Sequence, residues 1–253
     1  DLLPILVFYH GGGWVIGDLD THDAACRHIC GDAGIIVSDI TTGTETVASV
    51  LLQNDGKIVV AGSSRDGSNT NFLLVRYLSD GSLDTSFGGG DGIVITDISG
   101  GRDFASDAVI QTDGKIIITG VSDNEFALVR YNTDGSLDTS FGNAGIATPD
   151  VNASRNTPTS ISLQDDGKIL VSGTEHSFTN GNVFKFLTVR YNSDGSLDSS
   201  FGINGSVTTG LNSNDFSFAN SLTVQEDGKI LVVGQSYIGG NGYDFVLVRY
   251  NTD

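Results

Sequence analysis

The sequence predicts an all-β protein, a four-bladed β-propeller of four-stranded antiparallel blades. Three repeated motifs carry that reading. Asp-Gly-Lys-Ile occurs at 55–58, 113–116, 166–169 and 227–230. Val-Arg-Tyr ends at Tyr77, Tyr131, Tyr191 and Tyr250. Asp-Gly-Ser-Leu-Asp begins at Asp80, Asp134 and Asp194, and each copy runs on to Ser-Phe-Gly. The motifs return every 53 to 61 residues, which makes four units at about 46–103, 104–156, 157–217 and 218–253. Self-similarity at such a period marks a repeat architecture.

Each unit reads as four short strands. The first is half-buried: Ala48–Gln53, Ser106–Gln111, Thr159–Gln164 and Asn220–Gln225. An Asp-Gly turn, the sequence form of a tight hairpin, leads into the second at Lys57–Gly62, Lys115–Gly120, Lys168–Gly173 and Lys229–Gly234. The third is Phe72–Tyr77, Phe126–Tyr131, Phe186–Tyr191 and Phe245–Tyr250. The fourth is Gly92–Ile98, Gly145–Val151 and Gly205–Leu211. β-Branched and aromatic residues fill these runs and turn residues bound them. Four strands per repeat describe a propeller blade.

The fourth unit stops at Asp253, before a fourth strand of its own, while Gly34–Ile40 lies ahead of unit one and matches Gly92–Ile98. The expectation is that 34–40 closes the last blade and removes its open edge. Closure within one chain makes a four-bladed monomer. Closure between chains makes a strand-exchanged dimer with eight blades.

Composition narrows the partners. Asp and Glu outnumber Lys and Arg 31 to 13, a net charge of −18. A nucleic-acid partner calls for the opposite sign, so none is expected. No apolar run approaches the ~20 residues of a membrane helix, so no membrane span is expected. Cys26 and Cys30 do not make a disulfide framework. Met is absent, so Asp1 is not expected to be the translated start.

Residues 34–253 resemble the delta-60 repeats, a bacterial propeller-type family recognised by Asp-Gly-Lys-Ile and Arg-Tyr-Asn-x-Asp-Gly-Ser-Leu-Asp-x-Ser-Phe-Gly. The resemblance implies the architecture and an exported or cell-surface life. It implies no chemistry.

Residues 1–33 share nothing with the repeat. A buried-strand run, Ile5 to Tyr9, precedes His10-Gly11-Gly12-Gly13-Trp14, and Thr21 is placed to cap a short helix within 21–30. This strand, loop and helix resemble the hormone-sensitive-lipase-like α/β-hydrolases. The resemblance implies that the backbone N–H groups of His10, Gly11, Gly12 and Gly13 form an oxyanion hole. No Gly-x-Ser-x-Gly nucleophile elbow occurs in the 253 residues. Gly31–Asp39 satisfies both families' patterns, so the chain reads as a chimera joined there. Two functions follow. One is a noncatalytic binding or surface module with a vestigial esterase fragment. The other is a carboxylesterase of short-chain esters that uses the oxyanion hole with a non-standard nucleophile.

Other candidates are scaffold or ligand. His22, Cys26 and Cys30 share one helical face, but a fourth zinc ligand is not evident, and no metal site is assigned. Asn132–Asp138 and its copies place oxygens at alternate positions, which raises calcium as the one candidate cofactor. The Gly is misplaced for an EF-hand, and an Asx turn is the competing reading. Arg76, Arg130, Arg190 and Arg249, with the Lys of each Asp-Gly-Lys, recur with the repeat and are expected to pair with repeat carboxylates. The remaining basic residues point elsewhere. Arg65 and Lys185 lie between second and third strands, and Arg102 and Arg155 between fourth and first. In an up-and-down blade these loops emerge on one face. The same loops vary most and carry His176, Tyr237 and Tyr243. Variation over one face of a uniform array marks a binding face for an unknown ligand.

Overall fold

A computed structural model describes residues 6–8, 35–37, 40–41, 43–149, 151, 155–178, 183–211, 216–238 and 242–252. It opens with two short strands, β1 (Leu6–Phe8) and β2 (Ile35–Val37). Blade 1 follows as β3 (Thr44–Leu52), β4 (Ile58–Asp66), β5 (Asn69–Tyr77) and β6 (Ile93–Thr96). Blade 2 is β7 (Asp103–Ile110), β8 (Ile116–Ser122), β9 (Glu125–Tyr131) and β10 (Ile146–Ala147). Blade 3 is β11 (Arg155–Leu163), β12 (Ile169–Ser177), β13 (Val183–Tyr191) and β14 (Ser206–Thr209). Blade 4 has three strands, β15 (Ser217–Val224), β16 (Ile230–Tyr237) and β17 (Tyr243–Tyr250). Every blade is an antiparallel meander in chain order. The described residues contain no α-helix, and the helix expected within 21–30 lies outside them.

The strands run further than the sequence suggests at their loop ends. β4 continues through Arg65 and Asp66, and β5 starts at Asn69, because the backbone ladder persists there although the side chains turn polar. The fourth strands are shorter than expected, two to four residues.

One expectation is corrected. Ile35–Val37 does not complete blade 4. It pairs in parallel with β1, Leu6 opposite Ile35 and Phe8 opposite Val37. A parallel pair needs a connection of roughly a dozen residues or more, and the sequence separation of the two strands allows one. Among the described residues β17 pairs only with β16. The likeness of 34–40 to Gly92–Ile98 lies in β-branched composition, which does not choose a partner.

Blades stack through their faces, with the first strand of each blade laid over the blade before it: β7 on blade 1, β11 on blade 2 and β15 on blade 3. Each first strand carries a bulge, at Val47/Ser49, Ala105/Asp107, Pro158/Ser160 and Ala219/Ser221. Phe72 and Leu74 share a core with Ala108, Ile116 and Ile118 of blade 2. Phe126 and Leu128 do so with Ile161, and Phe186 with Ala219 and Leu222. Burying one such Phe contributes about 2–3 kcal/mol. The fit leaves no room at the receiving glycine. A Cβ on Gly120 would stand 2.1 Å from the Phe104 carbonyl oxygen and 2.7 Å from the Phe72 ring.

The repeated cations hold the opposite ends of the blades. Arg130 Nε donates to Asp138 Oδ2 at 2.8 Å, and its Nη1 donates to the Ser193 carbonyl of the next unit. Its guanidinium lies 4.5 Å from the Phe141 ring centroid. Lys115 Nζ reaches the same Asp138 oxygen at 2.9 Å. Arg76 repeats this with Asp84, Thr133 and Phe87, and Arg190 with Asp198, Thr252 and Phe201. The expected pairing of repeat cations with repeat carboxylates is therefore present in the first three units.

Removing one partner of a buried pair strands the other. Arg130→Ala is predicted to lower the unfolding free energy by about 3–5 kcal/mol in a denaturant titration. Arg249 occupies the same repeat position but is exposed. Arg249→Ala is predicted to cost about 0.5 kcal/mol or less.

The same pairs predict acid sensitivity. Burial pushes Asp84, Asp138 and Asp198 up, but the Ser two residues on and the Arg partner, joined by Lys115 at Asp138, outweigh it and hold all three below the usual range. Unfolded, they titrate near 3.8. A depressed folded value means stability that is complete above the unfolded value and lost as pH falls through the folded one. The Tm should therefore drop steeply below about pH 4, and less steeply in Asp138→Asn.

Candidate ligand-binding rim

The repeated Asp-Gly-Lys turns lie at one end of the blades, and the second-to-third and fourth-to-first connections lie at the other. The Asp-Gly end is uniform because its groups are spent on structure. Asp134 Oδ1 accepts from the Ser136 N–H at 2.9 Å and from its hydroxyl, and Asp194 does the same with Ser196. These are Asx turns, and Asp138 and Asp198 are committed to Arg and Ser. The clefts beside them, lined by Asp134–Leu137 between blades 1 and 2 and by Asp194–Leu197 between blades 2 and 3, recur with the repeat and belong to the scaffold.

The loop end divides the sequence-selected residues into two groups. Arg65 and Arg102 meet at the rim of blades 1 and 2. Arg65 stands opposite Thr70 in the β4–β5 ladder, and Arg102 bridges Thr70 from the crossover that enters blade 2. Both are exposed, and Arg65 Nε donates to the Gly67 carbonyl at 3.3 Å.

Arg155, His176, Tyr237 and Tyr243 gather at the rim of blades 3 and 4. Arg155 is directly opposite His176 in the β11–β12 register, so both project from the same side of the sheet. His176 is in turn opposite Phe184, and their rings stack at 4.0 Å with 12° between planes. Phe178 also meets His176, tilted at 48° with ring centroids 4.0 Å apart. Phe184 passes the contact to blade 4 through Phe216 at 5.6 Å and Phe218 at 4.9 Å. Phe218 meets Tyr243 at 5.9 Å, and Tyr243 meets Tyr237 at 5.8 Å. Seven rings thus run without a break across two blades. Phe178 is 64% exposed, Tyr243 52% and Tyr237 40%.

Lys185 is not part of this row. It is one residue from Phe184, so it projects from the opposite side of the sheet, opposite Glu175. Glu175 also accepts from the Thr208 hydroxyl at 2.9 Å. Sequence reasoning missed Phe178, Phe184, Phe216 and Phe218. The signal available was the density of aromatic residues in 176–186 and 216–218 at the ends of strands. His10, Gly11, Gly12 and Gly13 lie outside the described residues. Among the described residues no group of three or more His, Cys, Asp or Glu side chains is arranged to hold a metal. No helix among them is long and apolar enough to cross a membrane.

A family model described as "Domain of unknown function (DUF5122) beta-propeller" matches residues 53–87, 111–141, 164–201 and 225–253, more than half of the chain. The chain belongs to this family. A second model, for the alpha/beta hydrolase fold, matches residues 6–41. Carboxylic ester hydrolase LipN of Mycobacterium tuberculosis is 70% identical over 37 residues, 15% of this chain and 10% of LipN. Carboxylesterase NlhH of the same species is 56% identical over 39 residues, 15% of this chain and 12% of NlhH. The chain therefore spans about a tenth of the length of these esterases. A protein of unknown function from Bacteroides caccae aligns over 85% of this chain and 63% of its own, at 13% identity and a TM-score of 0.45. The chain is thus a chimera of DUF5122 repeats and an esterase-like segment, and β1 and β2 both fall within that segment.

Within the DUF5122 repeats the aromatic row ties blade 3 to blade 4. Phe184→Ala removes the ring that touches His176, Phe216 and Phe218, and is predicted to cost about 2–3 kcal/mol. Phe178→Ala, at the exposed end, is predicted to cost about 0.5 kcal/mol or less in the same denaturant titration.

Proposed function

We propose that this chain is a noncatalytic binding module, a repeat propeller carrying an esterase-like segment, whose ligand face is the loop rim of blades 3 and 4. The observation that carries this reading is the unbroken row of rings from Phe178 to Tyr237, open to solvent at both ends. Exposed aromatic rings with polar handles are costly to leave in water and bind flat partners well. Their faces suit the C–H face of a sugar ring, and a row spanning two blades suits an oligosaccharide rather than a single ring. Arg155 beside His176 adds one cation to that surface. Arg65 and Arg102 form a separate, purely polar patch on blades 1 and 2.

Within this reading the esterase-like segment ends near residue 41 and the propeller follows it. An oxyanion hole stabilises charge that a nucleophile must first create. The His10–Gly13 motif of the segment matches only the charge-stabilising part of that chemistry, and the relatives that hydrolyse esters are some ten times longer than the shared stretch.

One experiment on the full chain separates the two functions. The chain is applied to an array of neutral and acidic polysaccharides, and the same preparation is assayed with p-nitrophenyl butyrate. Polysaccharide binding that falls at least tenfold in Phe178→Ala/Tyr237→Ala, and persists in Arg65→Ala/Arg102→Ala, is the expected result. Binding unchanged by the aromatic pair overturns the rim assignment. Ester turnover that disappears in His10→Ala or Gly12→Val, with the fold intact, overturns the noncatalytic reading.

A further inference from the structure

The mouth of the junction between blades 1 and 2 gathers two arginines and a hydroxyl that the fold leaves largely unspent. Val59 and Ala61 of β4 share the core with blade 2, and the Ser63 hydroxyl accepts from the Ala105 N–H of blade 2 at 2.8 Å. Strand alternation puts Arg65 on that same side. Thr70 stands opposite Arg65 and shares a side with Phe72 and Leu74, which also enter that core. Arg102 arrives from the blade 2 side: it bridges Thr70, and the Thr70 N–H donates to the Gly101 carbonyl at 3.1 Å. Thr70 is 3% exposed, and its hydroxyl makes no hydrogen bond among the described residues. A buried hydroxyl without a partner is unfavourable, so the position calls for an acceptor from outside the chain. Arg65 and Arg102 are exposed and join no ion pair among the described residues. The acids around them are committed or turned away. Asp103 is fully buried and accepts from the Ile98 N–H at 2.7 Å and the Ser99 hydroxyl at 3.1 Å. Asp97 accepts from the Gly100 N–H at 2.6 Å. Asp66 alternates to the other side of the ladder. Asp123 remains: a Cβ on Gly101 would stand 3.3 Å from its Oδ1.

From this we infer that the junction mouth binds a singly charged oxyanion, an organic carboxylate, held between the Arg65 and Arg102 guanidiniums with the Thr70 hydroxyl as a third donor. The planar fork of a guanidinium matches a carboxylate, and two forks from two blades leave both of its oxygens answered. Two arginines beside Asp123 leave a net charge of +1, which balances one negative charge and not two. The chain's overall charge of −18 also works against a dianion. The hydroxyl is covered in the free chain, and the ligand reaches it as the long, exposed arginine side chains reorient. The set belongs to this sequence and not to the repeat. Counted from the shared glycine and the third-strand Phe, the same places at the junction of blades 3 and 4 hold His176, Phe184 and Phe216, and Phe184 bridges Phe216 as Thr70 bridges Arg102. At the junction of blades 2 and 3 they hold Asp123, Asn124 and Arg155, so no pair of cations forms there. The carboxylate site does not rest on the aromatic row.

An NMR titration of the nitrogen-15-labelled full chain at low salt tests this, with galacturonate as the carboxylate, galactose as its neutral counterpart and inorganic sulfate as the dianion. Galacturonate is expected to shift the Thr70, Gly101 and Arg102 amides and the Arg65 side-chain Nε–H saturably, and galactose is not. Affinity should fall about tenfold in Arg65→Gln and in Arg102→Gln. In Thr70→Val it should fall about threefold while the Tm is unchanged or raised, because the hydroxyl removed has no partner in the free chain. Thr70→Ser keeps the hydroxyl and should keep the affinity. Phe178→Ala/Tyr237→Ala should leave these shifts as they are, so this site and the aromatic rim stand or fall separately. Equal shifts with galactose, or an unchanged affinity in either arginine variant, overturn the site. So does an unchanged affinity in a folded Thr70→Val chain. Sulfate binding more tightly than galacturonate overturns the assignment to a single charge.

Discussion

The buried Arg–Asp pair at the foot of the third strand in blades 1 to 3 is the constraint on which the stack depends. A guanidinium out of water needs its charge and its donors answered, or it destabilises the blade that contains it. Here Asp138 answers the charge of Arg130 within the blade, Ser140 accepts from Nη2, and Nη1 donates to a carbonyl of the next unit. That last donor is therefore satisfied by protein only when the next blade is in place. One side chain ties local turn, blade and neighbour together. The Asp-Gly-Ser-Leu-Asp-x-Ser-Phe-Gly run supplies the other parts: a turn capped by its first Asp, the pairing Asp, and a Phe that lies under the guanidinium. That is why the run repeats nearly unchanged and why its end of the molecule is uniform.

Much of this was legible in the residues. A run of nine identical or similar residues per unit, containing both an acid and a turn, leaves few places for the Arg and Lys to go. The blades and their order follow from the four-strand unit, and the strand positions hold to within a few residues. The partner of Ile35–Val37 was not legible. Gly-Ile-Ile-Val and Gly-Ile-Val-Ile carry the same propensity, and propensity says that a strand forms without saying beside what. The upstream Leu6–Phe8, inherited with the esterase-like segment, is the partner the structure supplies.

The rim shows the complementary limit. Sequence separates loop residues from scaffold by their failure to repeat, and that criterion found His176, Tyr237 and Tyr243. It could not find Phe184 or Phe218, which sit within strands and touch across a blade boundary. It also grouped Lys185 with His176, although strand alternation sends them to opposite sides of blade 3 once the register is known. Contacts between units are invisible to a reading that aligns the units with one another.

Scaffold and rim divide the work along each strand. At one end the repeated Asp, Ser and Arg groups are committed to one another and to the next unit, so substitutions of them in blades 1 to 3 damage two blades at once. At the other end the ladder outruns the repeat: β4, β12 and β16 extend past their shared glycine into residues that differ in every unit. Backbone hydrogen bonds hold those extensions whatever the side chains are. The rim can therefore carry arginines on blades 1 and 2 and rings on blades 3 and 4 without altering the stack beneath. A long hairpin end anchored in a locked blade is rigid enough to aim side chains and free enough in sequence to change them. On this scaffold, specificity is set by which residues occupy the last turn of each ladder, and the aromatic row is the clearest case because its members come from two blades held in fixed register by the pairs below.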